Sequence, residues 1–368
     1  MNIVVAIDSF KDCLSSDEAN QAVASVLKGS YPEINVITVP VSDGGEGWID
    51  AFRLSLGGSL VSCEAHDPLM RCVKTSYLKI NNTAIIESAA IIGIQLLSAE
   101  ERNPMKTSSY GLGEVIAQAV LDGCDKIIVG LGGTATSDCG IGLLNALDEA
   151  MNSLTEEKRE SLPQHIDFKI AVDVNNPLCG PDGAAHVFTP QKGATSQMVD
   201  ILERRARIFS QNNAHKMGYD CSTNPGAGAA GGLGYAFMQF LDAKIQSGAE
   251  LLLQELHFDD ILEKADLVIT GEGRADAQTL MGKLPYCIMK HADEHCLQTV
   301  LLAGQTDNIP LLENAGFAMA ININPPDISL NEALNKETAI KNLQTAILSL
   351  YLLLDKLPLE KAKRPGIP

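Results

Sequence analysis

Aromatic side chains are few: they make up 5% of the 368 residues and include one Trp. The core must then be built from Leu, Ile, Val and Ala, which suits parallel α/β layers better than a β-sandwich. Positive charge is also scarce. Lys and Arg number 28 against 46 Asp and Glu, a formal net charge of −18. Such a surface repels nucleic acid and anionic membranes, so neither is an expected partner. It repels anionic ligands too, and an anion site therefore needs its own cations or helix N-termini. No apolar run reaches membrane-spanning length. Met1–Asp8 has no basic segment ahead of its short apolar run, so no secretory leader is expected. The nine cysteines are odd in number and form no Cys-x-x-Cys pair, the usage of a reduced, cytoplasmic protein. No repeat or low-complexity segment is visible. A P-loop is missing as well: before Gly282-Lys283, Ala277 stands where the first Gly belongs, and Leu284 replaces Ser/Thr.

Hydrophobic periodicity predicts a βαβ opening. Asn2–Ile7 reads as a strand, Ser15 with Glu18 as a capping box, Ala19, Ala22, Val23 and Val26 as a helix face with Gly29 at its stop, and Asn35–Val41 as a second strand. The last third has the same style, with strands at Leu267–Thr270, Thr299–Ala303 and Phe317–Ile321. Helices are expected over Pro285–His295 and Ala339–Leu357, and the basic tail Lys361–Pro368 reads as disordered. Between them, Val73–Ile80 and Thr83–Glu87 read as antiparallel partners around Asn81-Asn82. Thr107–Cys124 and Ser196–Lys216 read as helices, Lys126–Gly130 and Phe168–Val172 as strands. The chain length fits two domains. The expectation is a discontinuous Rossmann/flavodoxin-like parallel-sheet domain (1–65 plus 258–368) with a mixed α/β domain (66–257) inserted, and the active site in the cleft between them.

Three loops are built of glycine with acidic and hydroxyl residues: Ser42-Asp43-Gly44-Gly45-Glu46-Gly47, Gly132-Gly133-Thr134-Ala135-Thr136-Ser137-Asp138 and Gly271-Glu272-Gly273-Arg274-Ala275-Asp276. Each follows a predicted strand, where open α/β sheets bind ligands. Glycine lets backbone amides approach a phosphate, and carboxylates hold Mg²⁺, so the loops point to a phosphorylated, metal-bound substrate. A further glycine cluster, Gly226, Gly228, Gly231, Gly232 and Gly234, reads either as an anion-binding turn at a helix N-terminus or as tight helix packing. Asp173, after Phe168–Val172, suits a base or a metal ligand, or an Asx turn before Pro177. Lys11 and Lys192 lie on loops and could hold a carboxylate or phosphate, or be solvated.

Two dinucleotide-like patterns, Gly130-x-Gly132-x-x-Ala135 and Gly226-x-Gly228-x-x-Gly231, are of a kind that recurs by chance. His291 and His295, four apart on a predicted helix, have zinc spacing but no evident fourth ligand, and an exposed helix face explains them equally.

Taken in order, these segments resemble the bacterial glycerate kinases over nearly the whole chain. The matching stretches are Asp8-Ser9-Phe10-Lys11, Pro40–Gly47, Gly132–Asp138, Asp173-Val174-Asn175-Asn176-Pro177-Leu178, Pro190-Gln191-Lys192-Gly193-Ala194, Gly226–Gly234, Thr270-Gly271-Glu272-Gly273-Arg274, Asp276 and Gly282-Lys283. Ile7, Cys139 and Thr189 depart from the usual residues without removing a charge. The resemblance implies a two-domain α/β enzyme that phosphorylates D-glycerate with ATP and Mg²⁺, to 2-phosphoglycerate or 3-phosphoglycerate. On that reading Lys11, Asp173 and Arg274 are catalytic candidates. Gly132, Gly133, Thr134, Lys192, Gly226, Gly228, Gly231 and Gly232 are nucleotide-binding candidates, and Asp43, Glu46, Glu272 and Asp276 are metal candidates. A homodimer is left open. Two other readings stay open on the residues: an NAD-dependent dehydrogenase of a small hydroxy acid, and a non-catalytic small-acid-binding regulator.

Overall fold

The structure, a computed structural model, describes residues 1–354. The end of the helix expected to reach Leu357 and the tail Lys361–Pro368 lie outside the described residues. In chain order the strands are β1 (Asn2–Ile7), β2 (Asn35–Thr38), β3 (Ser59–His66), β4 (Cys72–Ile80), β5 (Thr83–Glu87), β6 (Lys126–Gly130), β7 (Asp167–Ala171), β8 (Lys244–Gln246), β9 (Leu267–Ala275), β10 (Gln298–Thr306) and β11 (Met319–Asn322). The chain divides into two compact units, one of residues 1–42, 50–55 and 249 onward, the other of residues 43–49 and 56–248.

The first unit carries a five-stranded sheet, ordered β2-β1-β9-β10-β11 and parallel throughout. Counted within the unit this is the flavodoxin-like order, which reverses direction between β1 and β9. Helices cover both faces, so the strands are continuously apolar, and Ile3 through Ile7 are fully buried. On one face Val5 and Ile269 pack with Val23, Leu27, Leu343 and Ile347; on the other Leu301 and Ala303 pack with Met289, Leu312 and Phe317.

The helix Ser16–Ser30 opens on the expected capping box: Glu18 N–H donates to Ser15 Oγ (3.2 Å), and Ser15 N–H to the Glu18 carboxylate (3.1 Å). Gly29 is not its stop. The helix runs through it to Ser30, and the chain leaves at Tyr31 (φ −140°, ψ 78°). The second strand ends at Thr38, short of Val41, because Val41 N–H turns away to donate to Ser16 Oγ (2.8 Å).

The larger correction concerns β9. Sequence reading ends this strand at Thr270 and makes Gly271–Asp276 a loop, yet the strand continues to Ala275, with Glu272 paired to Ala303 and Arg274 to Gln305. The glycines permit it: a Cβ on Gly271 would sit 2.3 Å from the Leu302 carbonyl oxygen, and one on Gly304 2.6 Å from that of Gly273.

The second unit carries a six-stranded mixed sheet, ordered β3-β4-β5-β6-β7-β8. The β4–β5 pair is antiparallel around Asn81, which takes φ 52°, as the Asn81-Asn82 signal predicts. From β5 to β8 all pairs are parallel. Edge strand β3, antiparallel to β4, has no counterpart in the sequence reading. Its first residues, Ser59 and Leu60, are exposed, so no clean alternation marks it. Two helices are trimmed or extended at their ends, to Tyr110–Leu121 and Ser196–Met217.

Candidate active site

In the first unit, β1 and β9 send their loops in opposite directions at the reversal of strand order, which opens a crevice at their carboxyl ends. Asp8 leaves β1 with its N–H on the Gly271 carbonyl (2.9 Å) and its carboxylate accepting from Ser9 N–H (2.7 Å). The chain then turns tightly: the N–H groups of Cys13 and Leu14 both donate to the Phe10 carbonyl at 2.9 Å, and Asp12 adopts φ 61°. Lys11 sits at the apex of this turn, exposed and without an ionic partner among the described residues.

Along β9 the alternation of the strand sends Glu272 inward and Arg274 outward. Glu272 is 6% exposed. One of its oxygens accepts from the Thr279 hydroxyl (2.6 Å) and the other lies 3.6 Å from Lys283 Nζ. Burial holds its carboxyl above the usual carboxylate range, opposed by Thr279 and Lys283. Thr279 in turn accepts from Asp276 N–H (3.0 Å), so Glu272 anchors the turn that follows the strand. Arg274 donates to Asp307 (2.6 Å), with Asp276 3.6 Å from its Nε. Asp307 is not among the residues expected from the sequence, although its place just after Gly304-Gln305-Thr306 at the end of β10 repeats the acidic strand-end pattern seen elsewhere.

In the second unit, the segment Asp43–Gly47 lies on the carboxyl ends of β6 and β7. Gly132 N–H donates to the Gly44 carbonyl (3.1 Å), and a Cβ on Gly132 would fall 2.6 Å from Gly45 Cα. Asp43 accepts from Gly45 N–H (3.1 Å), Ile49 N–H reaches Glu87 (3.3 Å), and Glu46 is exposed. Asp173 accepts from Gly248 N–H (3.0 Å) and the Ser247 hydroxyl (3.3 Å), and a Cβ on Gly248 would stand 1.9 Å from the Asp43 carbonyl. Asp43, Gly132 and Asp173 thus gather at one end of this sheet.

Lys192 is buried beneath the same loops. Its Nζ donates to the Thr136 carbonyl (2.7 Å) and lies 3.5 Å from Thr134 Oγ1, and burial lowers its pKa to about 8. A charge so placed braces the 132–138 loop. The Thr136 hydroxyl beside it is buried with no hydrogen-bond partner among the described residues. Asp138 braces the loop's other end through Ser109 N–H and Oγ (both 2.9 Å) and Gly142 N–H (3.1 Å).

The Gly226–Gly234 cluster packs backbone on backbone. Cβ atoms at Gly228 and Gly231 would lie 2.3 and 2.1 Å from the carbonyls of Pro177 and Thr136, and Gly231 and Gly232 take φ 71° and 93°. These glycines are explained by the close approach of the three loops. Neither dinucleotide-like pattern has its strand–turn–helix setting: after Gly130–Ala135 no helix starts before Ile141, and no strand immediately precedes Gly226. His291 and His295 both contact Asp259, and among the described residues no three His, Cys, Asp or Glu side chains are placed to hold a metal ion. Among them, too, no helix is long and apolar enough to cross a membrane.

The fold and its strand-end acid–glycine loops define an α/β enzyme, and comparison with known proteins gives the class. A family model, the glycerate kinase family, matches residues 3–354. The chain is 37% identical to a glycerate kinase of Haemophilus influenzae over 83% of its own length and 86% of the relative's. It is 34% identical to the glycerate 2-kinase of Escherichia coli over 90% and 93% of the two chains. The crystal structure described as a glycerate kinase 2 from Salmonella typhimurium LT2 superposes with a TM-score of 0.81 at 32% identity, covering 97% and 98% of the two chains. This chain belongs to the glycerate kinase family, a family of phosphotransferases.

Proposed function

We propose that the protein transfers the γ-phosphoryl group of Mg·ATP to the 2-hydroxyl of D-glycerate, releasing 2-phosphoglycerate and ADP. The observation that carries this reading is the family match over residues 3–354, joined to the E. coli relative named for the 2-kinase. Phosphoryl transfer asks a protein mainly for positioning and charge neutralisation, and the strand-end loops offer both.

Among cations near strand ends, Lys11 has no ionic partner among the described residues and Arg274 is more than half exposed, so both suit the substrate carboxylate or the transferring group. Asp173 is the candidate base for the hydroxyl. Mg²⁺ is a hard ion that takes one or two carboxylates and completes its shell with phosphate and water, so two ligands from a single loop suffice: Asp43 and Glu46 in the second unit are the candidate pair, and Asp276 in the first unit is a separate candidate. Glu272 is already engaged by Thr279 and Lys283 and serves better as support. The ion would offset charge on the β- and γ-phosphates. Gly132, Gly133 and Thr134 lie on a braced loop suited to phosphate oxygens, with Lys192 holding the loop from beneath.

The test is product analysis by ³¹P NMR after incubation with D-glycerate and Mg·ATP. The expected product is 2-phosphoglycerate, with turnover lost in excess EDTA and restored by Mg²⁺. A 3-phosphoglycerate product would overturn the regiochemistry, and no phosphoglycerate at all would overturn the kinase reading.

A further inference from the structure

One cavity in the first unit has no role above apart from that of Lys11 at its rim. It has a volume of about 390 Å³ and lies at the carboxyl ends of β9, β10 and β11, with Lys11 at its edge. That volume lies in the range of roughly 300–1,000 Å³ that holds drug-sized ligands. We propose that this cavity binds the base and ribose of the nucleotide, with Lys11 turned to its phosphate chain. The inference rests on the kinase reading and assigns a seat for the donor within it.

The walls differ in chemistry. One side is apolar and left open to water: Leu330 is 72% exposed and Leu334 38%. Exposed leucines facing a cavity suit the flat face of a heteroaromatic base, whereas glycerate, a small and wholly polar anion, has no use for them. The other side is built of carboxamides. Among the described residues the Gln305 carboxamide and the Nδ2 of Asn322 have no hydrogen-bond partner. A carboxamide sets one donor beside one acceptor, the arrangement that pairs with the amino group and ring nitrogen on an adenine edge. Asn324, between them, is fixed by bonds to the Gly304 carbonyl (2.8 Å) and from Asn342 Nδ2 (2.8 Å), which leaves a rigid floor.

Lys11 completes the set. In a chain of net charge −18, an unpaired ammonium beside an apolar slot favours a ligand with an uncharged flat end and an anionic tail. The cavity also lies outside the carboxyl ends of the parallel strands, the side on which open α/β sheets take mononucleotides, and Phe10 and Lys11 reach it from the loop after β1, beside the reversal of order.

The experiment is calorimetric titration of the full chain with Mg·ATP and with adenosine, beside steady-state kinetics for both substrates. Ala333→Trp fills the cavity, and Leu330→Asp places a charge on its apolar wall at an exposed position that folding does not depend on. Each is expected to weaken Mg·ATP and adenosine binding at least tenfold while changing the glycerate KM less than twofold. Lys11→Ala should weaken ATP at least fivefold and leave adenosine unchanged. If wild-type protein turns over but Leu330→Asp binds ATP as tightly as wild type, or raises only the glycerate KM, the seat is elsewhere and the kinase reading stands. If wild-type protein neither binds ATP nor phosphorylates glycerate, both fall.

Discussion

Arg274 shows what one side chain can decide. It is exposed and paired with Asp307 and Asp276, and such solvent-screened surface pairs contribute little to folding. A catalytic role would cost far more: Arg274→Ala should lower kcat/KM by about 2–4 kcal/mol of transition-state stabilisation while leaving thermal stability nearly unchanged. Near-normal turnover in that variant would remove Arg274 from the site. The charged residues of the strand ends were legible in the sequence because acids and glycines beyond apolar runs are unusual. Their partners were not. The inward turn of Glu272 to Thr279, seven residues on, depends on β9 continuing past Thr270, and the Lys192 ammonium is held under the Thr136 carbonyl by a segment 56 residues away, so neither contact shows in the local sequence. Asp307 carries the same strand-end signal, but without the glycine run that marks the other loops.

At the scale of elements, the long parallel strands and the capped helix Ser16–Ser30 could be read directly, because burial on both faces leaves an unbroken apolar run. The last half of β9 could not. Gly-Glu-Gly-Arg has poor strand propensity, and its pairing with β10 overrides that preference. For the glycine cluster of the second unit the sequence leaves open an anion-binding turn at a helix N-terminus or tight helix packing, and the close neighbouring carbonyls show that packing alone already requires glycine at Gly228 and Gly231. Gly231→Ala should therefore destabilise the protein by on the order of 2–4 kcal/mol, from left-handed backbone and overpacking together, seen as a lower urea midpoint. An unchanged midpoint would contradict the close approach. The helix Leu284–Glu294 is tied to its neighbours by His291, which lies 3.2 Å from Glu250 and 2.9 Å from Asp259. The hydrogen bond to Glu250, helped by Asp259 and opposed by burial, raises its pKa to about 9. An unfolded histidine titrates near ~6.5, so this tie is fully present below that pH and is lost as pH rises through about 9. Wild-type stability should decline over that interval by on the order of 1–3 kcal/mol, and His291→Gln should flatten the decline in urea titrations. Parallel curves for the two proteins would remove His291 as the cause.

For the whole molecule, charge and connectivity matter most. A protein of net charge −18 acting on an anion works against its own field. Raising ionic strength from ~10 to ~150 mM at fixed free Mg²⁺ shortens the Debye length from ~30 to ~8 Å, so kcat/KM for glycerate should rise on the order of twofold. A fall over that range would show that local cations set the encounter instead. Connectivity has its own consequence. The interior strand β1 has one lateral neighbour, β2, close behind it in the chain, while the other, β9, comes far later: Asn2 bonds to Asp266 across 264 residues. On a ribosome adding ~5–20 residues per second, β1 would wait roughly a quarter of a minute to most of a minute for that partner. The second unit, whose sheet is contiguous in sequence, can fold during this interval. Meanwhile Ile3–Ile7 remains an unpaired apolar edge, so synthesis itself makes this segment a target for chaperones that grasp nascent chains.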